Sequence, residues 1–443
     1  RRKLVAASGS YSITGTAASL TIAAGANKVL AAAAGSYVIT GTAATVRHSW
    51  KTVAAAGSYA ITGTAASVKH GWNIVAASGS YSLTGTAATI RKNKPIVAAA
   101  GSYTITGTAA TARKGKVLTA AAGSYAITGT AATLRLAKKL IAASGSYALT
   151  GTDASLTIAT SANKVLGAGA GAYVISGTAA TVRHSWKIAA AAGSYAITGT
   201  AAAIKYGRNL VAASGSYAIT GTAATLRKNK PIVAASGSYA ITGTAASILN
   251  ARKVIAAAGS YALTGTDASI TKASSANKIL SANAGSYVIT GTAATIRKTW
   301  RLVAAASSYA ITGTAASIQR GRNLTAAAGT YTLNGTAATL AHKKKLIAGA
   351  GSYAITGTPA FIQKQGKTLI AGAGAYILTG SAADILRRKT IAANSGSYLL
   401  TGAGATIVLG EPPPPPPERT IKFNDEMRTI QFSAERRNLS EAA

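Results

Sequence analysis

Apolar residues in this chain recur in pairs two positions apart, and the pairs recur every 22 residues. The landmark is Gly-Ser-Tyr-x-Ile-Thr-Gly-Thr, with its tyrosine taken as position zero. Position +2 is always Ile or Leu, as in Ile13, Ile61, Leu83 and Ile219. Position −7 is nearly always Ile, Leu or Val (Leu4, Ile74, Ile96, Leu210), and −5 is Ala. Position +7 is nearly always Ala, and +9 is Leu, Val or Ile in most copies (Leu20, Val68, Ile90, Leu226). A spacing of two is the strand period, so each unit predicts three short strands with inward pairs −7/−5, 0/+2 and +7/+9.

The parity of the inward positions changes twice per unit, at Gly-Ser and at Thr-Gly-Thr, which predicts two corners. Position +6 accepts Asp153, Asp267 and Pro359, so it is expected to face water. The third connection varies and is centred on pairs such as His70-Gly71, Lys92-Asn93, Lys114-Gly115, Tyr206-Gly207 and Arg320-Gly321. Such pairs suit two-residue hairpin turns.

The seventeen intervals between landmark tyrosines, from Tyr11 to Tyr398, are thirteen of 22 residues, three of 26 and one of 23. A fixed period of this size marks a solenoid or an array. The 26-residue intervals follow Tyr11, Tyr147 and Tyr261 and share Ala-Asn-Lys-Val/Ile-Leu (Ala26–Leu30, Ala162–Leu166, Ala276–Leu280). Four extra residues at the variable connection lengthen a protruding hairpin and preserve register. The expected fold is therefore all-β, a three-sided β-solenoid of about eighteen rungs. At about 4.8 Å per rung it would form a rod of roughly 85 Å. The alternative is a long antiparallel hairpin meander forming a sandwich, prism or barrel, which explains the odd number of strands per unit less well.

After Gly410 the pattern stops. Residues 1–410 read as the repeat array, 411–418 as a proline-rich linker and 419–443 as a short C-terminal β-repeat or anchor segment. Pro412–Pro417 predicts a polyproline II spacer of about 19 Å. Arg419-Thr-Ile-Lys-Phe423 recurs as Arg428-Thr-Ile-Gln-Phe432, with a third partial copy at Arg437-Asn438-Leu439. Ile421, Phe423, Ile430 and Phe432 alternate with polar residues, as half-buried strands do, and are candidates for anchoring or assembly. At the other end, Arg1-Arg2-Lys3 sits where other copies carry their variable loop. The numbering is thus expected to begin inside a longer array, or after processing.

Composition narrows the function classes. Lys plus Arg number 46 against 9 Asp plus Glu, a net charge of +37, and six of the nine acids lie from Glu411 onward. Most of the apolar fraction is alanine, which suits a thin core stacked along an axis better than a thick globular one. There are no cysteines, so neither disulfides nor a thiolate metal site is available. No run of eighteen or more apolar residues predicts a transmembrane helix.

Catalytic chemistry has little to work with. His48, His70, His184 and His342 lie in variable loops without a carboxylate nearby in sequence. No metal-ligand cluster, nucleophile elbow or phosphate loop appears, so the chain reads as no enzyme and implies no cofactor. The basic loops are the stronger candidates. Arg91, Lys92, Lys94, Arg113, Lys114, Lys116, Lys138, Lys139, Arg227, Lys228, Lys230, Lys343, Lys344 and Lys345 would align along one edge of a solenoid and attract a polyanion or glycan surface. Trp50, Trp72, Trp186 and Trp300 lie in the same loops, where rings could stack on sugars or bases. The bland reading is a solvated edge that keeps the protein soluble and blocks lateral pairing. Threonines flanking the corner glycine form outward Thr-Gly-Thr ladders, a pattern superficially similar to ice-binding solenoids; threonine's fitness for strands accounts for them as well.

The unit Ala-Gly-Ser-Tyr-Ala-Ile-Thr-Gly-Thr-Ala-Ala-Thr-Leu, as at Ala122–Leu134, resembles repeats of structural proteins of tailed bacteriophages and prophages. The tail Glu418-Arg-Thr-Ile-Lys-Phe, with its nine-residue echo, is similar to short C-terminal repeats in such proteins. The resemblance spans nearly the whole chain through low-complexity motifs, and no functional residue is carried over by it. It implies a virion component, a fibre, spike or capsid decoration, whose partners are other virion proteins or copies of itself as a trimer or filament. A bacterial surface adhesin or extracellular filament subunit is the alternative, and an ice-binding solenoid a remote one.

Overall fold

A computed structural model describes residues 3–409 save 22–28, 49–50, 71–72, 93–95, 115–116, 137–138, 159–164, 185–186, 207–208, 229–231, 251–252, 273–278, 299–300, 321–322, 343–344, 365–367, 388–389, 394 and 396, together with 420–421 and 429–431. The described secondary structure is all strand. The chain divides into two compact units, residues 1–224 and 225–443.

In the first unit each turn contributes three strands to three parallel sheets. Lys51–Ala54, Ser58–Thr62 and Ala65–His70 make one such turn, and Asn73–Ala76, Ser80–Thr84 and Ala87–Lys92 the next. Each strand pairs in parallel with its equivalent one turn on, like residue against like: Ala76 opposite Ala54, Tyr81 opposite Tyr59, Leu83 opposite Ile61, Ala88 opposite Ala66. The 26-residue units keep this register, with Tyr147 opposite Tyr173 and Leu140 opposite Leu166. The second unit repeats the arrangement from Ile232–Ala234, Ser238–Thr242 and Ala245–Asn250 onward. The fold is a parallel β-solenoid, for which the sequence count of about eighteen rungs is an approximate number of turns. The antiparallel meander is excluded, because consecutive copies run in the same direction. The two-residue turn pairs that suggested hairpins lie wholly or partly outside the described residues. They join the third strand of one turn to the first strand of the next.

The predicted inward positions are the buried ones. Position −5 is fully buried at Ala54, Ala76 and Ala98, position +7 likewise at Ala66 and Ala88, and Tyr103, Ile105, Leu134 and Leu156 are nearly so. Position −7 is described at Ile232, which is buried. Asp153 and Asp267 are exposed, as position +6 requires, while Pro359 is half-buried. Tyrosine supplies the bulk of this thin core, since each ring buries on the order of 150–250 Å². Neighbouring rings stack nearly parallel at the rise of the sheet, for instance 4.8 Å between Tyr81 and Tyr103 and 4.9 Å between Tyr331 and Tyr353. Many hydroxyls tie the second sheet to the first across the corner. Tyr147 Oη donates to the Ile141 carbonyl at 3.2 Å, and Tyr376 Oη to the Ile370 carbonyl at 3.1 Å.

The corners carry the hydrogen-bond ladder onward rather than interrupting it. At the first corner Ala55 N–H donates to Ala32 O (2.8 Å), Ala56 N–H to Ala33 O (2.7 Å) and Ser58 N–H to Gly35 O (3.3 Å). At the second, Gly63 N–H donates forward to Thr84 O (3.0 Å) while Ala65 N–H donates back to Thr42 O (2.8 Å). Backbones approach so closely here that a Cβ on Gly129 would overlap the Gly107 carbonyl oxygen, with the Gly107 carbonyl carbon 3.0 Å and the Thr108 oxygen 3.2 Å away. All three atoms are backbone and cannot swing aside.

One turn departs from the core pattern. Position +9 is Ala112 between Ile90 and Leu134, its register neighbours. A cavity of about 40 Å³ extends along the turns from Ile90 to Ile175, and Ala112 lines it together with Leu134, Tyr103 and Tyr125. The hydroxyls of Tyr81, Tyr103 and Tyr125 are buried and have no hydrogen-bond partner among the described residues.

In the second unit the tail folds back onto the last turn. Thr429–Gln431 runs antiparallel to Ser397–Thr401 with Ile430 opposite Leu400, and Thr420–Ile421 runs antiparallel to Gly404–Leu409 with Ile421 opposite Ile407. Two of the three sheets thereby have their final edge covered, which removes a template for uncontrolled strand pairing.

Three outcomes follow from this architecture. Gly129→Ala is expected to destabilise the first unit by about 2–3 kcal/mol through backbone overlap, read as a lower urea midpoint, whereas Ala56→Ser at an exposed corner leaves the midpoint in place. Ala112→Val, adding two buried carbons beside the cavity, is expected to raise stability by about 1.6 kcal/mol, read as a higher urea midpoint; a lowered midpoint would show the space to be unusable. The third outcome concerns alkali. Burial first, and the charge of neighbouring phenolates second, push the phenols of Tyr81, Tyr103 and Tyr125 well above the ordinary tyrosine value. The folded state therefore holds protons that the unfolded chain releases near pH 10, and stability falls as pH rises beyond about 10. Alkaline titration should show phenolate absorbance appearing together with loss of the β-sheet circular dichroism signal.

Candidate functional site

Outward positions of the third sheet alternate with the buried ones, so +6, +8 and +10 share one face. Position +10 is the informative one. In the first unit it is Thr21 on the first turn, then Arg47, Lys69, Arg91, Arg113 and Arg135 on successive turns, then Thr157, then Arg183 and Lys205. Strand pairing sets these residues directly opposite one another: Arg47 against Lys69, Lys69 against Arg91, Arg91 against Arg113, Arg113 against Arg135. All five are exposed. They stand one strand spacing apart, about 4.8 Å.

Like charges directly opposite in a sheet oppose pairing. At this spacing each neighbouring pair repels by about 1 kcal/mol even in water. Nothing local offsets it, because the 224 residues of the first unit contain one acid, Asp153. That carboxylate is exposed at the start of Asp153–Ile158, with Ala131 and Ala179 as its register neighbours. Two residues before each cation runs a row of hydroxyls at +8, namely Thr45, Ser67, Thr89, Thr111 and Thr133, all half-buried. Thr45 and Ser67 are hydrogen-bonded at 3.1 Å, and Thr133 and Ser155 at 3.3 Å. The face therefore carries a straight row of cations beside a straight row of hydroxyls. In the second unit the same position reads Leu249, Thr271, Arg297, Gln319 and Ala341 after Arg227, so no comparable row forms there.

Of the cations expected from the basic loops, Arg91, Arg113 and Arg227 are exposed on third-sheet strands. Lys92, Lys114 and Lys228 end the strands Ala87–Lys92, Ala109–Lys114 and Ala223–Lys228, with Lys92 opposite Lys114. Lys139 and Lys345 begin first-sheet strands. Lys94, Lys116, Lys138, Lys230, Lys343 and Lys344 lie outside the described residues, as do Trp50, Trp72, Trp186, Trp300, Phe423 and Phe432. Sequence reasoning grouped the cations by loop and so missed Arg47, Lys69, Arg135, Arg183 and Lys205. Their signal was present in the chain: one residue beyond the inward +9 position, at the 22-residue period.

The tail residues Ile421 and Ile430 face the array's own final turn across strand pairs. Among the described residues no group of three or more His, Cys, Asp or Glu is placed to hold a metal ion. Among the described residues no helix is long and apolar enough to cross a membrane. Comparison with known protein families, with curated proteins and with solved structures returned no match.

Proposed function

We propose that this chain is a non-enzymatic structural repeat protein, a fibre, spike or capsid-decoration component of a phage virion. The observation that carries the reading is where the repeat spends its invariant residues. Tyrosine, Ile/Leu, alanine and the corner glycines all serve stacking of one turn on the next, and variation falls on outward positions and connections. A chain that repeats its packing and varies its surface is built to present a long face, as solenoids do. The Gly-Ser-Tyr-x-Ile-Thr-Gly-Thr unit and the Arg-Thr-Ile-x-Phe tail supply the resemblance to phage structural proteins.

A bacterial surface adhesin or filament subunit would use the same architecture, and where the protein is found separates the two. Ice binding is disfavoured by the threonines themselves. Thr62 and Thr64 are exposed, but they flank a half-buried Gly63 at a corner rather than lying on one flat sheet. Antibody raised against the repeats, applied to purified virions and viewed by negative-stain electron microscopy, is expected to decorate particles at regular sites. Unlabelled virions, with label on the surface of the host cells instead, would move the assignment to the adhesin.

A further inference from the structure

We propose that the third sheet of the first unit is a docking track for an extended anionic polysaccharide that carries one carboxylate or sulfate per sugar. The track is the row Arg47, Lys69, Arg91, Arg113 and Arg135 with the hydroxyl row beside it.

Charge is the first support. Five exposed cations stand in register, and the only acid of the unit, Asp153, is four residues from the +10 position on its own strand, where Thr157 replaces the cation. Such a row concentrates the field along a line, and a linear polyanion laid on it meets attraction at every turn. Four of the five cations are arginine, whose planar guanidinium fork matches a carboxylate or sulfate in a bidentate way.

Spacing is the second support and selects among polyanions. The tyrosine rings of these turns repeat at 4.7–5.0 Å, and the cations share that rise. An extended 1,4-linked pyranose ribbon advances by close to one such rise for each sugar and turns over from one sugar to the next, so every second acidic group faces the row and keeps step with every second rung. Duplex DNA sets phosphates about 3.4 Å apart along each strand and winds them around an axis. They fall out of step with a straight row within a few rungs and turn away from it. The hydroxyl row is the third support. Thr45, Ser67, Thr89, Thr111 and Thr133 set a half-buried hydroxyl beside the cation of every rung, and a hydroxyl that donates along the row keeps acceptor capacity for a sugar hydroxyl.

The test uses the full chain at physiological salt. A short polymannuronate chain, which is extended and bears one carboxylate per sugar, is compared by isothermal titration calorimetry with a neutral 1,4-linked glucan, single-stranded poly(dT) and duplex DNA of matched charge. Polymannuronate is expected to bind about tenfold more tightly than either nucleic acid, and the neutral glucan not to bind. The triple variant R91Q/R113Q/R135Q is expected to lose about tenfold in affinity for polymannuronate. The same variant should keep its β-sheet circular dichroism signal and melt no lower than the parent at low salt, since like-charge repulsion is removed. Equal or tighter binding of either nucleic acid, binding of the neutral glucan, or full affinity in a folded triple variant would each overturn the proposal.

Discussion

Everything in this protein depends on one constraint: each residue must stack on its own equivalent one turn away. A parallel ladder with like opposite like leaves no room for compensation between large and small neighbours. Tyrosine meets tyrosine at 4.7–5.1 Å, alanine meets alanine at the fully buried positions, and a corner glycine meets the backbone oxygen of the glycine before it. The thin core that results holds only because the contact is renewed at every turn. Stability in such a stack is a sum over neighbouring turns rather than a property of one central core.

The same constraint acts on the surface, where it has the opposite sign. Register that aligns tyrosines for stacking also aligns Arg91 with Arg113 and Arg113 with Arg135, where alignment is repulsive. The interior gains from repetition and the exterior loses from it. Outward positions of the second unit show the relaxed solution, with Leu249, Thr271, Gln319 and Ala341 where the first unit carries cations.

Much of this was legible in the chain because the period is long and the inward residues are chemically narrow. Three pairs spaced by two, with parity changes at glycine, specify three strands and two corners, and the buried set matches them at Ala54, Tyr59, Ile61 and Ala66. Strand direction was less legible, since pairs such as His70-Gly71 serve a hairpin and a solenoid connection alike. The cation row was partly missed because basic residues cluster in the variable loops and draw the eye there. Only the 22-residue register shows that Arg47, Lys69 and Arg135 belong with Arg91 and Arg113. Ala112 is a single small residue in a long aliphatic row, and the space beside it depends on neighbours that sequence alone does not place. That the tail would lie on the final turn was not readable either, because alternation predicts a strand without naming its partner.

The reversed strands at 420–421 and 429–431 bear on how length is controlled in a protein of this kind. A parallel turn presents on its far side the same edge that it received on its near side, so the unit can be copied again and again by duplication within the gene. A strand laid the other way presents a different pattern of donors and acceptors, and the next copy of the unit no longer fits it. Reversal of chain direction thus acts as punctuation: duplications upstream of it lengthen the stack, and the full stop travels with the end.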